Sequence, residues 1–327
     1  QERMSQLEDW LNSIPDEKLT NVRPASSDAS FRRYFRVQLP KQSFIAMDSP
    51  PDLVPVAPFI ALADAYQACG IKAPEVKAAE LSQGFLLLSD LGDTQLLDAL
   101  NADNVSHHYG RALALLDQVL TITEAEGVPL PDYNDEFVLR ELNIFLEWLV
   151  QHHLQLSIDR QTRAMIDECF ALLIDNVAQQ PKVGVHRDYH SRNLMLCDDE
   201  VAVIDFQDAV IGPITYDAVS LLRDCYVRWP DEVITPLIAQ HYQQMRDLAL
   251  IDETVSLSQY RRWFDLMGMQ RHLKAAGIFC RLNYRDAKPG YMKDIPLTLS
   301  YVCDIGTQYP ECTAFITWLE TQVIPKM

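Results

Sequence analysis

The stretch VHRDYHSRNLMLCDDEVAVIDFQD, residues 185–208, constrains this chain of 327 residues more than any other. Two short apolar runs, 194–196 and 201–204, flank the polar CDDE and read as a hairpin with its turn at 197–200. Asp188, Asn193 and Asp205 stand at the ends of these runs, where charge is costly to desolvate. A single aspartate in such a place serves most often as a turn or cap residue, but that role does not account for the set. A hairpin of this size returns the chain near its start, so Asn193 and Asp205 are expected to be neighbours. Two hard oxygen ligands there suit Mg²⁺, which takes few protein ligands and leaves positions for phosphate oxygens and water. Asp188, on the loop after VGV (183–185), is expected to reach the same space without binding metal, where it can orient a hydroxyl and accept its proton.

The rest of the chain divides into strand-rich and helix-rich parts. SQLEDWLNSI (5–14) puts Leu7, Trp10, Leu11 and Ile14 on one helical face, with Pro15 ending the pattern. ASFRRYFRVQL (29–39) and SFIAM (43–47) read as a hairpin, and VKAAEL (76–81) with GFLLLSDL (84–91) as a second strand pair. Between them, 55–70 is helix-like, with Gly70 as its stop. Residues 94–126 and 135–180 carry long helical patterns, and helices dominate again from Ile214 onward. The predicted class is α+β: a small β-rich lobe over 1–90, a hinge near 88–93, and a large helical lobe over 91–327.

Composition narrows the functional classes. A net charge of −18 argues against a nucleic-acid partner, because phosphate backbones are bound by clustered Lys and Arg. No apolar run reaches membrane-spanning length and the first ten residues are too charged for a signal peptide, so a cytoplasmic protein is expected. The seven scattered cysteines include no CxxC pair and read as free thiols in a reducing compartment. His186 and His190 have HxxxH spacing, but the loop context speaks against zinc.

HRD, an Asn five residues after its Asp, and an Asp-Phe twelve residues further on match the kinase pattern H-R-D-x-x-x-x-N…D-F. HRDYHSRNLM followed by VIDFQDAVIGPITYDAVSLL resembles the aminoglycoside phosphotransferase and choline kinase superfamily, of protein-kinase-like fold. ASFRRYFRV (29–37), GFLLLSDLGD (84–93) and FVLRELNIFLEWLV (137–150) bring the likeness nearest to bacterial kinases of N-acetylmuramate and N-acetylglucosamine. The resemblance implies an ATP- and Mg²⁺-dependent phosphotransferase acting on a small sugar, most simply at its anomeric hydroxyl. It implies Asp188 as the base and Asn193 and Asp205 as metal ligands. His186 and Arg187 would brace the loop, and Asp217 would tie the following helix to it. Residues 27–33, with Ser30, Phe31, Arg32 and Arg33, would cover the phosphates, and 88–91, with Leu88, Ser89 and Leu91, would hold the adenine. For the sugar, the candidates are His190, Asp208, and Arg223 and Tyr226 of RDCYVRWP. The striped segment 261–282 reads as core, with Arg271 and His272 as outlying candidates for an acyl sugar.

One departure stands out. The strand that carries the phosphate-pairing lysine in kinases reads FIAMD here, so Met47 or Asp48 falls at that position. Arg32, Arg33 and Arg36 are the candidates to compensate, and strand alternation keeps them from all facing one way. The alternatives are a kinase of an aminoglycoside, choline or another amino alcohol, or a pseudokinase that binds nucleotide without efficient transfer.

Overall fold

A computed structural model describes residues 1–14, 21–27 and 31–327. The chain forms two compact units: Gln1–Ala99 with Glu124–Pro129 and Arg192–Asp208, and Leu100–Thr123 with Leu130–Ser191 and Ala209–Met327.

The first unit is built on a five-stranded antiparallel sheet, ordered β1-β2-β3-β5-β4. Its strands are β1 (Asn21–Ser27), β2 (Arg33–Gln38), β3 (Ser43–Asp48), β4 (Val76–Glu80) and β5 (Phe85–Ser89). The two predicted strand pairs are β2–β3 and β4–β5, whereas β1 carries too little apolar pattern to be foreseen. Alternation decides what each face does. Phe35, Val37, Phe44, Ala46, Phe85 and Leu87 bury against Leu7 and Leu11 of α1 (Glu2–Ser13). Trp10 and Ile14 pack at the margin of that core, and Pro15 lies outside the described residues. Helix α2 (Ala57–Ala68) ends where expected, with Gly70 in the left-handed region at φ +82°. The unit is completed by α3 (Leu96–Ala99) and two hairpins, β6 (Glu124–Ala125) with β7 (Val128–Pro129) and β9 (Leu194–Cys197) with β10 (Glu200–Val203).

The second unit is mainly helical: α4 (Val105–Val119), α5 (Asp135–Ile144), α6 (Arg160–Ala178), α7 (Tyr216–Leu222), α8 (Asp231–Asp247), α9 (Leu257–Tyr284), α10 (Ile295–Gly306) and α11 (Thr313–Trp318). The long pattern over 135–180 is broken into α5, a π-helical segment (Phe145–His153) and α6. Asn134 caps α5 by accepting from Phe137 N–H at 3.0 Å, and Asp159 caps α6 by accepting from Thr162 N–H at 2.7 Å. The 28-residue α9 is buried along most of its length and forms the unit's axis. Gly277 lets it approach the start of the π segment: a Cβ there would stand 2.6 Å from the Ile144 carbonyl carbon. A two-stranded ribbon, β8 (Lys182–Val185) with β11 (Val210–Pro213), carries the chain into the loop that holds Asp188. Among the described residues no helix is long and apolar enough to cross a membrane.

Candidate active site

The HRD loop leaves β8 and is braced at nearly every residue. The backbone N–H groups of His186 and Arg187 donate to the two oxygens of Asp217, at 2.8 and 3.1 Å. Asp217 lies in the first turn of α7, so it forms the tie between helix and loop that its sequence position implies. Asp188 N–H donates to His186 Nδ1 at 3.1 Å, and the buried Tyr189 hydroxyl donates to the Ala112 carbonyl at 2.7 Å. Ser191 closes the loop on Asp224, which accepts from its N–H at 2.9 Å and from its hydroxyl. Arg187 sits at φ +86°, a conformation that costs about 1–3 kcal/mol and persists only where the surroundings hold it. Here its guanidinium reaches Glu141 at 2.7 Å while Asp217 holds its backbone.

The charges around Asp188 are unusual for so buried a place. Burial pushes its carboxyl up, but Lys274, His190, Arg187 and His186 together outweigh burial and hold it below the ordinary range. Asp188 therefore stays ionised, as a proton acceptor must. The network behind it was not visible in the sequence. Lys274 Nζ lies 3.7 Å from Glu141 Oε2 and donates to the Tyr216 hydroxyl at 2.8 Å. Tyr133 donates to Glu141 and accepts from Gln270 Nε2 at 2.7 Å. Glu141, Gln270 and Lys274 look like ordinary helix residues until α5 and α9 pack together.

The chain passes into the first unit between Ser191 and Arg192. There Asn193 and Asp205 are neighbours across the hairpin, with Ile204 N–H donating to the Asn193 carbonyl at 3.1 Å. Asp205 is at φ +62°, and its carboxylate accepts from Gln207 Nε2. Phe206 anchors this end of the hairpin by stacking on Tyr66 and contacting Phe59, with ring centroids at 4.8 and 5.1 Å. An amide oxygen and a carboxylate side by side are a donor set suited to Mg²⁺.

The lysine-equivalent strand separates Met47 from Asp48. Met47 is fully buried opposite Tyr34 and Leu86. Asp48 faces the α1 side, where Arg3 reaches one oxygen and Arg33 the other at 2.6 Å. Arg36 is held by Asp90 at 2.7 Å and by Asp93. Arg33 and Arg36, two of the three candidates to compensate for the lysine, are thus both engaged by carboxylates. Arg32 shares the parity of Tyr34, hence the face of Met47, and its guanidinium lies 5.7 Å from the Phe59 ring centre.

The remaining candidates fall in contrasting places. Phe31 is exposed, while Ser30 and Asp28 lie outside the described residues. Leu88 is buried, Ser89 N–H donates to the Glu75 carbonyl at 2.9 Å, and the Leu91 carbonyl accepts from the Cys197 thiol at 2.6 Å. In the second unit the His190 ring meets Tyr226 edge-on at 5.3 Å, and burial lowers the histidine's pKa against the pull of Asp224 and Asp188. Arg223 is buried against Asp265 at 2.6 Å and over Phe264, a structural setting. Asp208 is exposed in the first unit. His272 is buried, its Nε2 donates to the Arg223 carbonyl at 2.7 Å, and burial lowers its pKa to about 3. Arg271 lies 5.1 Å from the Tyr216 ring centre, inside the core. All seven cysteines are free thiols.

A small antiparallel sheet followed by a helical unit, with an HRD loop and an Asn/Asp hairpin, defines a kinase-like phosphotransferase. Residues 21–253 match the phosphotransferase enzyme family, and the chain belongs to it. Over 315 residues the chain is 38% identical to the N-acetylmuramate/N-acetylglucosamine kinase of Neisseria meningitidis, covering 95% of this chain and 93% of that protein. The Pseudomonas putida enzyme of the same name is 40% identical over 319 residues, covering 94% and 93%. Among solved structures, choline kinase LicA from Streptococcus pneumoniae shares the fold at a TM-score of 0.66 and 8% identity, covering 93% of this chain and all of that one. The ADP-bound aminoglycoside phosphotransferase APH(2'')-Ib does so at 0.61 and 14% identity, covering 92% and 98%.

Proposed function

We propose that this chain is an ATP-dependent kinase of N-acetylmuramate and N-acetylglucosamine, phosphorylating the anomeric hydroxyl in a cytoplasmic route of cell-wall sugar recycling. The observation that carries this reading is the charge set around Asp188. Lys274, His190, Arg187 and His186 hold the buried Asp188 ionised, as a base for a hydroxyl must be, while Glu141 balances Lys274 and Arg187. The relatives named above, similar over nearly the whole chain, act on such sugars.

In this reading residues 1–90 form the lobe that covers the nucleotide and 91–327 the lobe that holds the acceptor. Asp188 accepts the proton of the anomeric hydroxyl as its oxygen bonds to the γ-phosphorus and the bond to the β,γ-bridging oxygen breaks, releasing ADP. An anomeric hydroxyl is more acidic than an ordinary alcohol, so a carboxylate kept ionised by its surroundings has sufficient basicity. Asn193 and Asp205 would hold Mg²⁺, which when bound supplies charge neutralisation at the phosphates. Arg32, on the face of Met47, takes the part of the missing phosphate-pairing lysine.

Asp188→Asn is expected to lower kcat by at least 10³-fold while the protein still binds ATP. Wild type and variant are incubated with ATP, Mg²⁺ and a panel of N-acetylmuramate, N-acetylglucosamine, choline and kanamycin. Product on choline or kanamycin alone would replace the substrate reading, and undiminished turnover by the variant would remove Asp188 from the site.

A further inference from the structure

A cavity of about 600 Å³ lies inside the second unit, walled by α5, the π-helical segment and α9. That is the size of a small-ligand site. Among the polar atoms of its lining, Asn143 Oδ1, an acceptor, and Arg281 Nε, a donor, are buried with no hydrogen-bond partner. An unmatched buried polar atom is costly, so both call for a partner within the cavity. Burial and the neighbouring Arg285 push the Arg281 guanidinium down, while Asp286, Glu141 and Glu147 attract it without forming an ion pair among the described residues. Arg281 lies about one turn beyond Gly277, where α9 packs tightly against the start of the π segment.

The wall is otherwise amphipathic. Phe137 carries the guanidinium groups of Arg140 and Arg187, each 4.8 Å from its ring centre, and Trp148 and Ile278 add apolar surface. Glu141 and Arg187 line this cavity and also act electrostatically on Asp188, so cavity and base share two charged side chains.

From these residues we infer that the cavity receives the substituents of the acceptor sugar: Asn143 Oδ1 accepts from an amide N–H, and Arg281 donates to a carboxylate. The inference rests on the sugar-kinase reading above and adds the determinant that tells its two sugars apart. N-acetylmuramate bears an ether-linked carboxylate where N-acetylglucosamine has a hydroxyl, and only the acid can engage Arg281 as an ion pair. Arg281 is thus a specificity residue.

The test compares kcat/KM for the two sugars in wild type, Arg281→Gln and Arg281→Lys. The ratio of N-acetylmuramate to N-acetylglucosamine is expected to fall at least tenfold in Arg281→Gln, through KM, and to recover in part in Arg281→Lys, which keeps the charge. An unchanged ratio in Arg281→Gln would overturn the assignment, whatever the absolute rates. Should wild type phosphorylate neither sugar, the kinase reading fails and the cavity is judged separately, by titrating N-acetylmuramate against tryptophan fluorescence with Trp148→Phe as control. A saturable change lost in Arg281→Gln upholds the carboxylate site, and no change in wild type overturns it.

Discussion

Asp188 shows how a buried carboxylate is kept charged: the cost of burial is met by four basic side chains, of which Lys274 exerts the largest effect. Lys274 remains protonated itself because Glu141 offsets its own burial. The sign of a perturbation follows. Removing Lys274 deletes the strongest downward pull on Asp188, so the carboxyl's pKa rises and a higher pH is needed to ionise it. Lys274→Met should move the acid limb of the kcat/KM profile to higher pH and lower activity most on the acidic side, with a smaller loss above neutrality. A variant whose profile keeps its shape and merely drops in height would show that Lys274 acts otherwise. This lysine could not be singled out from RHLKAAGIF, where it looks like a flanking charge on an apolar helix. Its role depends on Glu141, 133 positions away, and separations of that kind leave no local pattern.

At the scale of elements, the β9–β10 hairpin was the most legible part of the chain, because alternation, turn chemistry and motif spacing all act within twenty-four residues. Its turn residues Asp198 and Asp199 stand at φ +48° and +67°, the left-handed pair of a two-residue hairpin turn. Glycine adopts that region more readily than aspartate, so Asp199→Gly should raise stability by about 0.5–1 kcal/mol, read from the midpoint of urea unfolding. A lower midpoint would mean that the Asp199 side chain contributes more than its backbone costs. The helical pattern over 135–180 was less legible. Its periodicity is continuous, yet the chain departs from the α-helix at Phe145, where Gly277 of α9 leaves no space for a Cβ. Neither segment alone contains that information. Three arginines show a third case: Arg32, Arg33 and Arg36 are alike in sequence, and only the fold assigns their partners. Arg33 pairs with Asp48 of β3, Arg36 with Asp90 after β5, and Arg32 lies by the Phe59 ring of α2.

For the molecule as a whole, nucleotide should stabilise the folded state by mass action. A non-hydrolysable ATP analogue at a hundred times its dissociation constant adds about 2.7 kcal/mol, a rise in melting temperature of several degrees. With Asp205→Ala the increment should no longer depend on added Mg²⁺, and an unchanged Mg²⁺ dependence would remove Asp205 from the metal site. The second unit carries a comparable dependence on one element. Along α9 the chain places Asp265 against Arg223, Gln270 against Tyr133, Lys274 against Glu141, Gly277 against Ile144, and Arg281 into the cavity. The helix works as a ruler, with each mark set by a fixed rotation of about 100° and rise of about 1.5 Å per residue. Point substitutions erase one mark at a time. One inserted residue between Lys274 and Gly277 would leave the charge network intact and turn every later mark to a different wall. In this stretch length is therefore under tighter constraint than composition, and descendants of this chain should vary its letters far more freely than their number.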